Sequence, residues 1–213
     1  MKDTEKRKSE TTAILLAGGK SSRMGVNKAL LSMSHGVNIA AIAGELEKEA
    51  GGALLITNTP ESYKFLGLPM IADRYKDSGP LGGIHAGLCA SKTDINLIAA
   101  CDMPFIKAEA AREIVMHIGE YDAAVPEIHG QMHPLFAVYR KSCLPVLQAC
   151  LDEGQLRVRQ FLNGVRVKVL KETDFKLFHQ QPEFFPHIFY NMNDREEYEK
   201  AKKMEREYRH FLN

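Results

Sequence analysis

Glycine and cationic residues are concentrated in residues 16–28, which read LAGGKSSRMGVNK and follow an apolar, strand-like run. The adjacent Gly18 and Gly19 can adopt backbone angles closed to other residues, so the chain can turn sharply and point its N–H groups at an anion. Arg23 and Lys28 supply positive charge where a triphosphate would lie. The spacing is neither GxxxxGK[ST] nor GxGxxG, so it predicts a phosphate-binding loop of another type.

A second group of residues capable of chemistry follows apolar runs that read as strands. The most apolar run, residues 95–100, ends in Cys-Asp-Met-Pro, and the proline leaves Asp102 projecting from the end of the predicted strand. Because Mg²⁺ needs only one or two protein carboxylates beside phosphate and water, Asp102 is the predicted metal ligand. The carboxyl ends of parallel strands share one edge of a sheet, where ligands bind. The other polar residues expected at this edge are Asn58, Asp73, Asn191 and Asn193.

Alternating strand-like and helix-like segments predict the fold class. Repeated βα units in the first half indicate an α/β, Rossmann-like doubly wound sheet that is mostly parallel, with helices on both faces. Residues 79–83, GPLGG, are interpreted as a glycine-rich turn before a helix at 84–90. The remaining predicted strands lie at 13–17, 53–57, 69–72, 122–126, 133–140 and 165–170. Further predicted helices lie at 37–50, 107–118, 143–152, 156–163 and 194–211, with Asp194 as N-cap of the last.

Composition limits the classes of function. The chain has 213 residues and a formal charge of +1, which predicts one domain over residues 11–213 and gives no electrostatic reason to expect nucleic acid or an anionic membrane as partner. No apolar run approaches the roughly 20 residues that span a bilayer. The four cysteines form no C-x-x-C pair, which predicts reduced thiols and a cytoplasmic protein. Residues 1–10 are charged without apolar periodicity and are predicted to be a disordered leader.

The string L-A-G-G-x-S-x-R-M-G-x-x-K at residues 16–28 resembles the signature of nucleotidyltransferases, and its GG form resembles that of molybdenum cofactor guanylyltransferases. The segment around Asp102 resembles the C-D-x-P of that family, which contains the metal-binding aspartate. This resemblance implies transfer of GMP from GTP to molybdopterin, with or without its molybdenum, to give molybdopterin guanine dinucleotide and pyrophosphate. It also implies Mg²⁺ as cofactor and accessory molybdenum-cofactor proteins as partners.

The resemblance also implies roles for individual residues. Lys28 and Arg23 would hold the β- and γ-phosphates, and Asp102 would hold the metal. The positions implied to contact GTP are Leu16, Ala17, Gly18, Gly19, Lys28, Asn58, Asp73, Gly79, Pro80, Leu81 and Asp102. The implied pterin side comprises Arg157, Asn191 and Asn193. The N-terminal half would therefore bind the nucleotide and the C-terminal half the pterin.

Three other functions remain open from sequence: cytidylyl transfer to the same pterin, a sugar-phosphate nucleotidyltransferase, and a non-catalytic nucleotide-binding scaffold. Gly-Gly in place of Ala-Gly favours guanine, and intact Lys28 and Asp102 favour an enzyme. The chain departs from the family at Asn27, where an acid is frequent, at Leu156, where an arginine is frequent, and at residues 35–37, which replace Gly-Lys/Arg-Pro. His133 is interpreted either as a structural histidine or as a substrate contact.

Overall fold

The computed structural model describes residues 2–18, 27–34, 36–75 and 77–212. In these ranges the strands are β1 Thr11–Leu16, β2 Ser32–Met33, β3 Gly36–Val37, β4 Gly52–Ile56, β5 Met70–Ile71, β6 Ile95–Ala100, β7 Ala123–Ile128, β8 Gln131–Met132, β9 Phe136–Arg140 and β10 Val167–Leu170. The α-helices are α1 Lys2–Ser9, α2 Asn38–Glu47, α3 Gly79–Ala90, α4 Ala108–Met116, α5 Leu144–Asp152, α6 Val158–Leu162, α7 Lys176–Gln180, α8 Arg195–Glu207 and α9 Arg209–Leu212. Short 3-10 helices span Lys28–Leu30, Pro60–Leu66, Lys141–Cys143, Glu172–Asp174 and Phe185–Phe189.

The central sheet has the strand order β10-β7-β9-β6-β1-β4-β5, with β8 paired to β7. Strands β6, β1, β4 and β5 are parallel neighbours, as are β7 and β10, whereas β9 is antiparallel to both β6 and β7. The predicted mostly parallel α/β fold is therefore confirmed. Because β9 is antiparallel to both β6 and β7, those two strands run in the same direction. The carboxyl ends of β1, β4, β5, β6, β7 and β10 therefore all lie at one edge of the sheet.

Apolar side chains alternate between two cores on opposite faces of the sheet. In β1, Ala13 and Leu15 face the core that contains α2, α4 and the aromatic residues of the C-terminal third, while Ile14 and Leu16 face α3 and α5. Strand β6 is buried along its whole length, which agrees with its largely apolar sequence. Among the described helices, none has both the length and the apolar character needed to cross a bilayer.

Helix α3 packs closely on β1 because it has glycine where it meets the sheet. A Cβ at Gly87 would lie 2.5 Å from Cγ2 of Ile14, which is fully buried, and a Cβ at Gly83 would lie 3.2 Å from Leu16 Cδ2. A contact of 2.5 Å between carbon atoms cannot be accommodated without moving the helix or changing the rotamer of Ile14.

We therefore expect Gly87→Ala to destabilise the protein by about 1–3 kcal/mol, since overpacking outweighs alanine's better helix propensity. Denaturant unfolding measures this change. Gly44→Ala in α2 is the matched control, because a Cβ there has no atom within 4 Å. The control should be neutral or stabilising by up to about 1 kcal/mol. Equal stability of the two variants would contradict the close packing of α3 on β1.

Two segments differ from the sequence prediction. Residues 2–9, predicted as part of a disordered leader, form α1, whose end is held by the hydrogen bond from Thr11 Oγ1 to the Arg7 carbonyl (2.7 Å). The predicted turn GPLGG is instead the first part of α3. Gly79 has φ +61 and Pro80 lies in the first helical turn, where proline is favoured because its missing N–H is not needed.

Candidate active site

The carboxyl edge of the sheet gathers the segments that follow β1, β4, β5 and β6. Backbone hydrogen bonds continue beyond the strand ends, from Ala17 N to Ile56 O (2.9 Å), from Thr57 N to Ile71 O (2.9 Å) and from Cys101 N to Leu16 O (3.2 Å). These bonds fix the positions of the residues immediately following the strands. Gly18 lies at this edge, is exposed and has open space around it.

Asp102 is mostly buried just beyond β6, and its Oδ1 atom has no hydrogen-bond partner. Burial raises the pKa of its carboxyl group, the positive charge of Lys28 opposes this rise, and the negative charge of Glu197 adds to it. A buried, unpaired carboxylate oxygen is costly unless a cation satisfies it. In the described part of the chain, no group of three or more His, Cys, Asp or Glu residues is arranged to hold a metal. A single carboxylate therefore suits Mg²⁺, which takes its other ligands from phosphate and water.

Lys28 begins a short 3-10 helix whose orientation is fixed from two sides. The side chain of Asn27 accepts a hydrogen bond from Ala29 N (3.1 Å) and donates one to the hydroxyl of Tyr63 (2.7 Å), which is buried. An acid at position 27 could cap the turn but could not donate to Tyr63. Lys28 lies within electrostatic reach of Asp102. The candidate residues Gly19 and Arg23 lie outside the described residues.

Asn58 and Asp73 contact each other at the ends of β4 and β5. The Asn58 side-chain oxygen accepts a hydrogen bond from Asp73 N (3.1 Å), and Asp73 Oδ1 accepts one from Tyr75 N (2.8 Å). The Asp73 carboxylate also lies against the first turn of α3, since a Cβ at Gly82 would be 2.6 Å from its Oδ2 atom. Burial raises the Asp73 pKa, while the bond from Tyr75 and nearby His85 lower it.

The start of α3 forms one wall beside Asp73. Gly79 and Pro80 are exposed there, whereas the side chain of Leu81 is fully buried in the core. Leu81 can therefore contribute to a ligand site only through its backbone. The first N–H groups of a helix have no acceptor within the helix and can bind a ligand.

The segment Asn191–Asn193 lies against Asp102. The Met192 N–H donates to the Asp102 carbonyl (2.8 Å), and the Asn193 N–H donates to the Glu197 carboxylate. Asp194 caps α8 by accepting from Glu197 N (2.9 Å), which confirms the predicted N-cap. The backbone of this segment thus passes beside the predicted metal ligand, with Met192 in the core that α2 and α4 cover.

Arg157 precedes α6 on the opposite side of the sheet. Helix α5 starts near the amino end of β7, where Cys143 Sγ donates to Asp122 O (3.3 Å), and reaches the carboxyl edge, where Gln148 contacts Tyr75. Arg157 follows this end of α5 and is exposed. It therefore lies on the face of the sheet that α3 and α5 cover, whereas Asn191–Asn193 lie on the other face.

Two titratable side chains near the site are unsuited to proton transfer or attack at neutral pH. Burial raises the pKa of the Cys101 thiol to about 12. Burial lowers the pKa of His133 to about 4, and its ring packs 5.0 Å from the Phe189 ring. His133 is therefore unsuited to act as a general acid or base at neutral pH, and its packing on Phe189 favours the structural interpretation.

The low pKa of His133 predicts a dependence of stability on pH. His133 takes up a proton near pH 6.5 in the unfolded chain but only near pH 4 in the folded protein. The free energy of unfolding is therefore unaffected by His133 above pH 6.5 and decreases as the pH falls from 6.5 towards 4. Between pH 7 and pH 4 we expect the wild type to lose about 3 kcal/mol more than His133→Gln. Urea unfolding at both pH values measures the difference, and an identical loss in the two proteins would show that His133 is not held neutral.

Sequence reasoning did not assign positioning roles to Asn27, Asn38 and Tyr63. Asn27 precedes Lys28 with a spacing typical of a cap, which is a detectable signal. The contacts of Asn38 and Tyr63 join segments far apart in sequence.

Comparison with known proteins gives one consistent family. Residues 13–169 match the family model described as the MobA-like NTP transferase domain. A probable molybdenum cofactor guanylyltransferase of Pelotomaculum thermopropionicum is 39% identical over 168 residues, covering 78% of this chain and 82% of that protein. One from Carboxydothermus hydrogenoformans is 37% identical, covering 91% and 95%. The crystal structure of molybdopterin-guanine dinucleotide biosynthesis protein A from Archaeoglobus fulgidus has a similar fold, with a TM-score of 0.74, 24% identity and coverage of 91% and 97%.

Proposed function

Because the chain belongs to the MobA-like NTP transferase family and is a nucleotidyltransferase, we propose that it transfers GMP from GTP to the terminal phosphate of molybdopterin. A phosphate oxygen of the pterin forms a bond to the α-phosphorus, and the bond from this phosphorus to the bridging β-phosphate oxygen breaks. The products are molybdopterin guanine dinucleotide and pyrophosphate. The observation that best supports this proposal is the buried Asp102 carboxylate, which has an unpaired oxygen and lies within electrostatic reach of Lys28.

Asp102 would hold Mg²⁺, which supplies positive charge that offsets the negative charge developing on the phosphates. Lys28, together with Arg23, would hold the β- and γ-phosphates and orient the α-phosphorus for in-line attack. The nucleophile is a phosphate that is already ionised at neutral pH, so no general base is required. The neutral state of His133 is compatible with this mechanism.

Asp73 and the start of α3 would bind the guanine base. Guanine presents N–H donors beside a carbonyl acceptor, and a carboxylate next to free helix N–H groups offers the complementary pattern. Asn58 holds the Asp73 backbone in place. We further propose that Asn191, Asn193 and Arg157 approach the pterin from the two faces of the sheet, which divides the chain into a nucleotide-binding N-terminal half and a pterin-binding C-terminal half.

The proposal is tested first by ligand-induced stabilisation. With Mg²⁺ present, GTP should raise the melting temperature more than CTP or ATP, and at 100 times its Kd it should add about 2.7 kcal/mol of stability. Pyrophosphate should then appear only when molybdopterin is added to the enzyme with Mg²⁺ and GTP. Greater stabilisation by CTP would favour cytidylyl transfer, and stabilisation by GTP without pyrophosphate release would favour a non-catalytic protein.

A further inference from the structure

Asn38 joins the two segments that bear the charged residues of the candidate site. It is the first residue of α2 and is fully buried. Its side-chain amide donates to the carbonyl oxygen of Cys101 (2.7 Å), which directly precedes Asp102. Its backbone N–H donates to the carbonyl oxygen of Leu31 (2.9 Å), at the end of the turn that begins with Lys28. One residue thus bonds to both segments.

Other hydrogen bonds hold the start of the turn that contains Lys28. Leu31 N donates to Lys28 O (3.2 Å), which closes the turn, and Asn27 ties the start of the turn to Tyr63. With Asn38 bound at its end, the turn cannot shift relative to α2. The turn after β6 is held in the same way, by Asn38 at Cys101 and by Met192 at Asp102.

The side chain of Asn38 is not optimised for stability. Its Oδ1 atom is buried and has no hydrogen-bond partner, which costs about 1–3 kcal/mol relative to a satisfied group. The side-chain bond of Asn38 that the structure describes is the one it donates to the Cys101 carbonyl, which links the turn bearing Asp102 to the start of α2.

We propose that Asn38 is a positioning residue that fixes the separation and orientation of Lys28 and Asp102, acting through the Leu31 and Cys101 carbonyl groups. This inference rests on the proposed function, because it assumes that Asp102 holds a metal ion beside the nucleotide phosphates. Residues that orient a metal ligand without touching the metal typically change metal affinity or activity by about 10- to 100-fold when removed.

The experiment measures binding of Mn²⁺, as a spectroscopic substitute for Mg²⁺, to the full chain with saturating GTP. Water-proton relaxation, which distinguishes Mn²⁺ held on the protein from Mn²⁺ held by free GTP, gives the dissociation constant independently of turnover. Asn38→Ala removes the side-chain donor, and Asn38→Leu removes it while keeping a side chain branched at Cγ, which avoids the cavity that alanine leaves. We expect both variants to bind Mn²⁺ at least about tenfold more weakly than the wild type.

Asn96→Ala provides the matched control. Asn96 is also fully buried, donates its amide to a backbone carbonyl (Asp94 O, 2.9 Å) and has an unpaired Oδ1, but it lies in β6 near the opposite edge of the sheet. This variant should lose stability to a similar extent and bind Mn²⁺ as the wild type does.

Introducing Asn38→Leu into Asp102→Asn provides a second readout. If Asn38 acts through Asp102, the double variant should bind Mn²⁺ no more weakly than Asp102→Asn alone. Wild-type affinity in both Asn38 variants, or additive losses in the double variant, would overturn the positioning role while leaving the proposed function intact. Absence of Mn²⁺ binding by the wild type with GTP would overturn both.

Discussion

Asp102→Asn is expected to lower turnover by about 10²- to 10³-fold and, at neutral pH, to raise the melting temperature of the ligand-free protein. The kinetic loss follows because a neutral amide is a poor ligand for Mg²⁺ and provides no charge to hold it, and a metal ion is worth several kcal/mol in stabilising the transition state. The gain in stability follows from the buried, unpaired Oδ1 atom, since asparagine has nearly the same shape and no charge to desolvate.

The direction of the stability change depends on pH. The pKa of Asp102 is raised in the folded protein, so the folded state binds this proton more tightly than the unfolded chain does. The ionised carboxylate therefore reduces stability at pH values above its folded pKa, and this cost disappears as the pH falls below its unfolded pKa. The stabilisation by asparagine should accordingly be greatest near neutral pH and vanish in acid.

Asp94→Asn is the matched control, because Asp94 lies just before β6 as Asp102 lies just after it. Asp94 is exposed and paired with Arg140 at the opposite edge of the sheet. This variant should keep wild-type turnover and should not gain stability. Normal turnover in Asp102→Asn would exclude Asp102 as the metal ligand, and a lower melting temperature at neutral pH would show that its carboxylate is satisfied within the protein.

Gly82→Ala is expected to lower kcat/KM for GTP by about 10²-fold and to lower stability by about 1–3 kcal/mol. A Cβ at this position would lie 2.0 Å from Ser78 Oγ and 2.6 Å from Asp73 Oδ2, so these side chains must move. Both can rotate away only by giving up hydrogen bonds, the one from Ser78 Oγ to the Tyr75 carbonyl and the one from Tyr75 N to Asp73 Oδ1. The Asp73 carboxylate would then leave the place where the base is proposed to bind. A displacement of about 1 Å in a binding group can reduce reaction rates about 10²-fold.

Gly83→Ala separates this effect from a general effect of alanine in the helix. A Cβ at the neighbouring Gly83 meets Leu16 Cδ2 at 3.2 Å, which is a tight contact in the core and far less severe than the contacts at Gly82. Steady-state kinetics with GTP varied should show a large loss for Gly82→Ala and a small one for Gly83→Ala. Equal kinetics for the two variants would indicate that Asp73 does not contact the nucleotide.

Short stretches of sequence correctly predicted the features that depend only on neighbouring residues. Residues 95–100 were predicted as a strand from their largely apolar run and are β6, because such a run is best buried in the interior of a sheet. Asp194 was predicted as an N-cap and is one, because capping depends on two residues three apart. GPLGG was predicted wrongly as a turn, because glycine and proline favour both turns and helix starts.

Elements that depend on distant partners were not predictable in this way. The sequence of β9 gives no information on its direction, which is decided by pairing with β6 and β7 on either side. The charged residues 2–9 have no apolar periodicity, yet they form α1, whose end is bonded to Thr11 at the start of the central sheet. The spacing of residue types along the chain identifies neither the strands that pair with β9 nor the contact that holds the end of α1.

The sequence by itself determined the α/β class, the glycine and lysine pattern of residues 16–28, and the acids and amides that end the strands, since these depend on residue type and short spacing. Only the tertiary structure decided which of them meet: Asn58 with Asp73 and the start of α3, and Asp102 with Asn191–Asn193. It also brought Asn38 to the Cys101 carbonyl. These contacts join residues separated by 9 to 90 positions, and they form because parallel strands bring their carboxyl ends to one edge.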